Sequence, residues 1–185
     1  QFLSTAHASA GERERCDVPA IARRAVALLR SDLRSREITI DTVFPASIPS
    51  VEADPQALLH VFLNLLTNAR QALQSAGRQG RIQFALETVE ARDEKVVQCR
   101  LRDNGPGIRP EHLPRIFDPF FTTKPVGEGT GLGLAICRRI VDELSGTITC
   151  QSPPGEGATF VVRLPVARAG QVMRPRGRTL ARRKE

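Results

Sequence analysis

The sequence predicts an α+β fold, an α/β sandwich with helices on one face of a mostly antiparallel, mixed sheet. Two observations carry this. Helical and alternating periodicities follow one another as helix, strand, helix, two strands, long loop, helix, two strands. Both strand pairs are joined by short polar or Gly/Pro-rich segments, "ARDE" and "PPGEG", as in antiparallel hairpins. This order does not describe a doubly wound parallel sheet.

Each element has its own local reason. Residues 1–16 are small and polar without a clear period. A helix starts after Asp17, which suits an N-cap, with Pro19 in the first turn and Val18, Ile21, Ala22, Ala25, Val26, Leu29 and Leu33 at helical spacing. "EITIDTVF" alternates as a strand and ends at "PASIPS". The second helix is capped by Asp54, opens on Pro55 and is expected to stop at Gly77. "RIQFALETVE" and "KVVQCRLRD" form a hairpin. The Gly/Pro-rich connection that follows, from Asn104 to Gly131, has the length of a functional or disordered loop. "LGLAICRRIVDELSG" is a helix ending at Gly146, and "TITCQS" and "ATFVVRLP" make the closing hairpin.

The 185 residues fit one domain with extensions, and 41% hydrophobic content supports a real core. With no Trp or Tyr, that core must come from aliphatic residues and eight Phe. The net charge of +7 is mostly local: residues 168–185 hold seven Arg and Lys against Glu185 alone. The globular part is close to neutral, so nucleic acid is not an expected partner, and residues 167–185 read as a basic, disordered tail. The four cysteines lack metal spacing, and no apolar run is long enough to span a membrane. A reduced, cytoplasmic setting is expected.

Four stretches carry possible chemistry. In "HVFLNLLTNARQAL", Val61, Phe62, Leu65, Ala69, Ala72 and Leu73 form an apolar stripe. Asn64, Asn68 and Gln71 line one border of it, with Leu63 and Arg70 on the far side. Two readings fit: asparagines bonding to nearby loops, or amide oxygens for a hard cation that already carries phosphate oxygens. In "LRDNGPGI", alternation sends Asp103 to the same face as Val97, Cys99 and Leu101. A buried carboxylate there needs a donor, and the glycines that follow permit either a plain turn or close approach to a ligand. "GEGTGLGLAI" runs glycines into a helix N-terminus, as phosphate-binding loops and merely flexible loops both do. It is neither a Walker loop nor preceded directly by a strand. "FDPFFTTK" offers three phenylalanines that should pack when the loop closes, and Lys124 as a cation.

Their order is more specific than any one of them. "NLLTNA", "DNGPGI", "FDPFFTTK" and "GTGLGLAI" resemble the N, G1, F and G2 boxes of the ATP-binding catalytic domain of sensor histidine kinases, in the family shared with DNA gyrase, Hsp90 chaperones and MutL. The resemblance covers about residues 17–166, and "FFTTK" is most similar to kinases of the nitrogen-regulation type. It implies a Bergerat-type fold binding ATP and Mg²⁺. Asn68 would be the main Mg²⁺ ligand with Asn64 beside it, and Asp103 would accept from the adenine amino group in a pocket shaped by Gly105, Gly107 and Ile108. Thr130, Gly131, Leu132, Gly133 and Leu134 would meet phosphates, Lys124 and Thr123 would approach the γ-phosphate, and Gln71 and Ala72 would line the site. Thr159 would help at the adenine, although it alternates opposite Phe160, Val162 and Leu164.

Two departures stand out. Gln71 occupies a position where many members carry Lys or Arg, which shifts weight to Lys124. None of His7, His60 and His112 resembles a phosphoacceptor site. The implied partners are therefore a histidine-bearing dimerisation domain of the same kinase, with residues 1–16 as a remnant of its hairpin, and a response regulator downstream. The isolated domain is expected to be monomeric. A related ATPase or serine kinase, or a pseudokinase interaction module, are the alternatives.

Overall fold

The computed structural model describes residues 12–74, 79–91, 94–124, 129–153 and 155–167. The expected helix stop at Gly77, His7, Gly127 and the basic tail from Arg168 lie outside them. Two helices begin as their caps dictate. In α1 (Val18–Ser35) the Asp17 carboxylate accepts from the Ala20 N–H at 3.0 Å. In α2 (Pro55–Gln74) Asp54 does the same for Gln56 at 2.8 Å.

Five strands, β2 (Thr39–Val43), β4 (Arg81–Ala91), β5 (Glu94–Asp103), β6 (Thr147–Gln151) and β7 (Thr159–Pro165), form one sheet in the order β2-β4-β5-β7-β6. Only β2 and β4 run parallel, because α2 crosses over between them. The other pairs are antiparallel, including both expected hairpins. Alternation then sorts side chains. Ile82, Phe84, Leu86, Val97, Cys99, Leu101, Phe160, Val162 and Leu164 are buried beneath α1, α2 and α3 (Gly133–Glu143). Phe62 of α2 meets Phe84 edge-on at 5.3 Å, which centres the core under that helix. The opposite face carries Gln83, Arg100, Arg102 and Arg163.

A second, two-stranded sheet went unread in the sequence. β1 (Glu14–Cys16) pairs with β3 (Val51–Ala53), and Val51 bridges to Val166. Cys16 is buried there, its thiol donating to the Ala53 carbonyl at 3.3 Å. Three-residue strands are too short to display a period, which is why neither was legible. Arg70 leaves the asparagine border as the wheel predicts. It lies 3.1 Å from Asp32 of α1, an ion pair without the alignment of a hydrogen bond.

The end of α3 shows why a glycine is needed one residue later than helix grammar suggests. Ser145, not Gly146, takes the left-handed conformation (φ 57°). The Ser145 and Gly146 N–H groups return to Asp142 and Val141, both at 2.9 Å, closing a Schellman motif. Gly146 is required for space, since a Cβ there would sit 2.5 Å from the Arg163 carbonyl oxygen. Ser145→Gly should therefore raise stability by about 0.5–1 kcal/mol, and Gly146→Ala should lower it by about 1–3 kcal/mol. Thermal melts of the two variants check this, and an unaffected Gly146→Ala would refute the close approach.

Candidate functional site

The C-terminal end of β5 delivers Asp103 to the helix-covered face, where it is 3% exposed. Its Oδ1 accepts from the Gly105 N–H at 2.8 Å and from the Ala158 N–H at 3.3 Å. Burial pushes the carboxyl above its ordinary value, against the pull of those backbone donors. The surrounding backbone is packed too tightly for side chains. A Cβ at Gly105 would meet Asp103 Oδ1 at 2.8 Å and Ala72 of α2 at 3.4 Å, and one at Gly157 would lie 2.0 Å from the Asp103 carbonyl oxygen. Ser152, also buried, accepts from the Ile108 N–H at 2.7 Å and donates to the Gly157 carbonyl at 2.8 Å. One serine thus ties the turn after β5 to the β6–β7 turn, around the buried carboxylate.

At the other end, Asn64 of α2 lies against the N-terminus of α3, with Asn68 and Gln71 farther along the same row of the helix. A Cβ at Gly133 would lie 3.3 Å from Asn64 Oδ1. Among the described residues neither Asn64 nor Asn68 bonds to a loop; the Asn64 side chain lies beside the buried Cys137 thiol of α3, and its Nδ2 makes no hydrogen bond of good geometry. The bland account of these amides, bonds to neighbouring loops, is therefore absent among the described residues. Among the described residues no side chain caps α3, so its first N–H groups are suited to an anion. Thr130 Oγ1 accepts only a long bond from the Leu132 N–H, 3.4 Å. Leu134 packs its side chain on the core.

The segment 117–124 lies against this region. Phe117 sits under Arg138 of α3 at 5.3 Å, and Phe121 between Arg115 at 4.9 Å and His112 at 5.6 Å. Phe120 departs from the expectation that all three phenylalanines pack, being 74% exposed with a φ of 65°. A Cβ at Gly131 would lie 2.4 Å from its carbonyl carbon, so the glycine loop admits the Phe120 backbone rather than its ring. Thr123 is exposed and bonds to nothing described, and Lys124 donates to the Gln71 amide oxygen.

The donor set fits a nucleotide with its metal. Among the described residues no cluster of three His, Cys, Asp or Glu is present to hold an ion by itself. The amide oxygens of Asn64 and Asn68 would suit a magnesium ion that brings phosphate oxygens of its own.

Residues 53–168, more than half of the chain, match the family described as histidine kinase-, DNA gyrase B- and HSP90-like ATPases. The chain belongs to this family. It is similar to the two-component sensor PprA of Pseudomonas aeruginosa, 42% identical over 143 residues, which are 77% of this chain and 15% of PprA. It is also similar to the sensor histidine kinase ZraS of Salmonella typhimurium, 40% identical over 139 residues, or 75% of this chain and 28% of ZraS. The chain thus spans less than a third of either relative. Among solved structures, the catalytic domain of the histidine kinase ThkA superposes with a TM-score of 0.71 at 31% identity, over 84% of this chain and 96% of that one. Full-length ShkA in complex with AMPPNP gives 0.73 at 26% identity, over 86% of this chain and 32% of that one.

The fold is that of a histidine kinase catalytic domain, and one expected residue stands apart from its site. Thr159 pairs with Arg102 in register and shares the outer sheet face with Gln98, Arg100 and Arg163, away from Asp103. Its strand alternation had indicated this. The adjacent Ala158 instead points its N–H at Asp103. Ser152 went unread, yet it continues the inward alternation of Ile148 and Cys150, and a buried serine needs partners. A cavity of about 1020 Å³ near Arg30, Leu33 and Gly80 lies among none of these residues.

The raised Asp103 pKa has a testable sign. Between the unfolded value near 3.8 and the higher folded value, the folded chain holds a proton that the unfolded chain has lost. Stability of the native chain relative to Asp103→Asn should therefore fall as pH rises through that window, then level off. Denaturant melts of both proteins from about pH 4 to pH 8 read it, and a relative stability that rises with pH would contradict the burial argument.

Proposed function

We propose that this domain binds ATP·Mg²⁺ and presents the γ-phosphoryl group to a histidine on a separate dimerisation domain of the same two-component sensor kinase. The observation that supports it most is the pairing of two ends in one site. A buried carboxylate that accepts from two backbone N–H groups sits at one end, and the Asn64 amide oxygen beside the N-terminus of α3, one turn from Asn68, sits at the other. The first suits an exocyclic adenine amine and the second suits phosphates with their metal.

In this reading Asp103 accepts from the adenine amine, with Gly105, Gly107 and Ile108 forming the pocket wall and Ala72 beneath it. Asn68 and Asn64 supply oxygen ligands, and magnesium neutralises charge on the phosphates when it is bound. The N–H groups of Gly133 and Leu134, with Thr130, Gly131 and Leu132 before them, receive phosphate oxygens. Lys124 and Thr123 approach the terminal phosphate. These residues bind and orient, and they leave the nucleophile to another domain, as a loose phosphoryl-transfer transition state permits. We assign residues 17–166 to this domain, residues 1–16 to the connection with the histidine-bearing domain and 167–185 to a tail. A response regulator downstream and a cytoplasmic setting belong to the same proposal. The four cysteines are free, and no helix among the described residues is long and apolar enough to cross a membrane. The likeness to the nitrogen-regulation type rests on "FDPFFTTK" alone.

Asn68→Ala should weaken Mg²⁺-dependent binding of a fluorescent ATP analogue by about tenfold or more. Its melting temperature should barely move, because Asn68 gives up no hydrogen bond among the described residues. A collapse of stability would instead assign Asn68 to the fold. Mixing the chain with ATP and a purified histidine-bearing hairpin domain should yield an acid-labile phosphoprotein. An acid-stable product would point to a serine kinase, and no transfer at all to a nucleotide-binding module.

A further inference from the structure

We propose that Gln71 is a positioning residue for Lys124, holding its ammonium group over the helix face that carries Asn64 and Asn68. The inference rests on the reading that Lys124 meets the terminal phosphate, and it adds how that charge is fixed in place.

Gln71 follows Asn68 by three residues and Asn64 by seven, so the three amides form one row along α2. The Lys124 ammonium donates to the Gln71 side-chain oxygen at the end of that row. Two further contacts define the rest of the lysine. Its backbone N–H donates to Thr122 Oγ1 at 3.2 Å. A Cβ on Gly129 would lie 3.0 Å from Lys124 Cδ and 2.9 Å from Thr122 Oγ1, so the stem runs against a glycine. Backbone, stem and tip are thus each held by a different segment.

The chemistry of the acceptor matters. A lysine has a flexible stem and a compact, strongly hydrated charge, so it occupies a wide volume unless something takes its N–H groups. A glutamate at 71 would cancel that charge, and a lysine would repel it. An amide oxygen accepts the hydrogen bond without neutralising the ammonium as a carboxylate at 71 would. Arg70, the adjacent cation on α2, is turned to Asp32 at 3.1 Å and does not share this face. The amide on the helix thus holds a cation that comes from the loop.

Calorimetric titration of the chain with ATP and with ADP, each with Mg²⁺, tests this on the native protein, Gln71→Leu, Lys124→Met and the double variant. Each single variant should lose about fivefold to tenfold in ATP affinity while ADP changes by less than about twofold, and the double should be no weaker than Lys124→Met. Gly129→Ala, which displaces the stem, should follow Gln71→Leu. Gln71→Lys carries its own cation and should make Lys124→Met nearly silent. Losses that multiply in the double variant, or that fall equally on ATP and ADP, would overturn the proposal alone. Failure of the native chain to bind either nucleotide, or binding that survives Asp103→Ala, would overturn the nucleotide reading and this proposal with it.

Discussion

The buried carboxylate of Asp103 is the constraint around which the rest of the site is arranged. Taking a charge out of water is costly, and here two backbone N–H groups, from Gly105 and Ala158, offset that cost only in part, so the carboxyl remains shifted upward. To bring those donors in, the turn after β5 and the β6–β7 turn must both approach the end of one strand. Gly157 is a glycine because its Cβ would fall on the Asp103 carbonyl, and Gly107 because its φ is 81° with Ser152 against it. The five-stranded sheet supplies the frame, since Asp103 pairs with Ile82 on one side and its N–H donates to Ala158 on the other.

The opposite end of the site is governed by space as well as charge. Gly129, Gly131 and Gly133 each face a different neighbour at a distance that excludes a side chain: the Lys124 stem, the Phe120 backbone and the Asn64 amide. The glycine run therefore brings loop, helix α2 and helix α3 into mutual contact, and the same absence of side chains leaves the α3 N–H groups exposed to an anion. Burial pushes Cys137, one turn along that helix, up to about 12, which keeps it a protonated thiol and a packing residue.

Long-period and alternating signals were readable directly. Asp17 and Asp54 announced two helices, and the inward alternation of Val97, Cys99 and Leu101 carried Asp103 to its buried position. The same rule warned that Thr159 lies on the outer face. Two kinds of information were not available in a single chain read in order. Strands of three residues, β1 and β3, express no period, and contacts made by backbone, such as the Ala158 N–H on Asp103, depend on the fold and not on the side chain. The Lys124–Gln71 bond joins residues 53 positions apart, and nothing local foretells it.

We propose that Asp103 is a desolvated acceptor whose charged form an adenine amine would stabilise. Its carboxyl titration by carbon NMR, without and with saturating ADP, measures this directly. The account predicts a pKa above 3.8 in the free domain that drops when the nucleotide donates to the charged form. An ordinary value in the free domain, or one that ADP leaves unchanged, would contradict it.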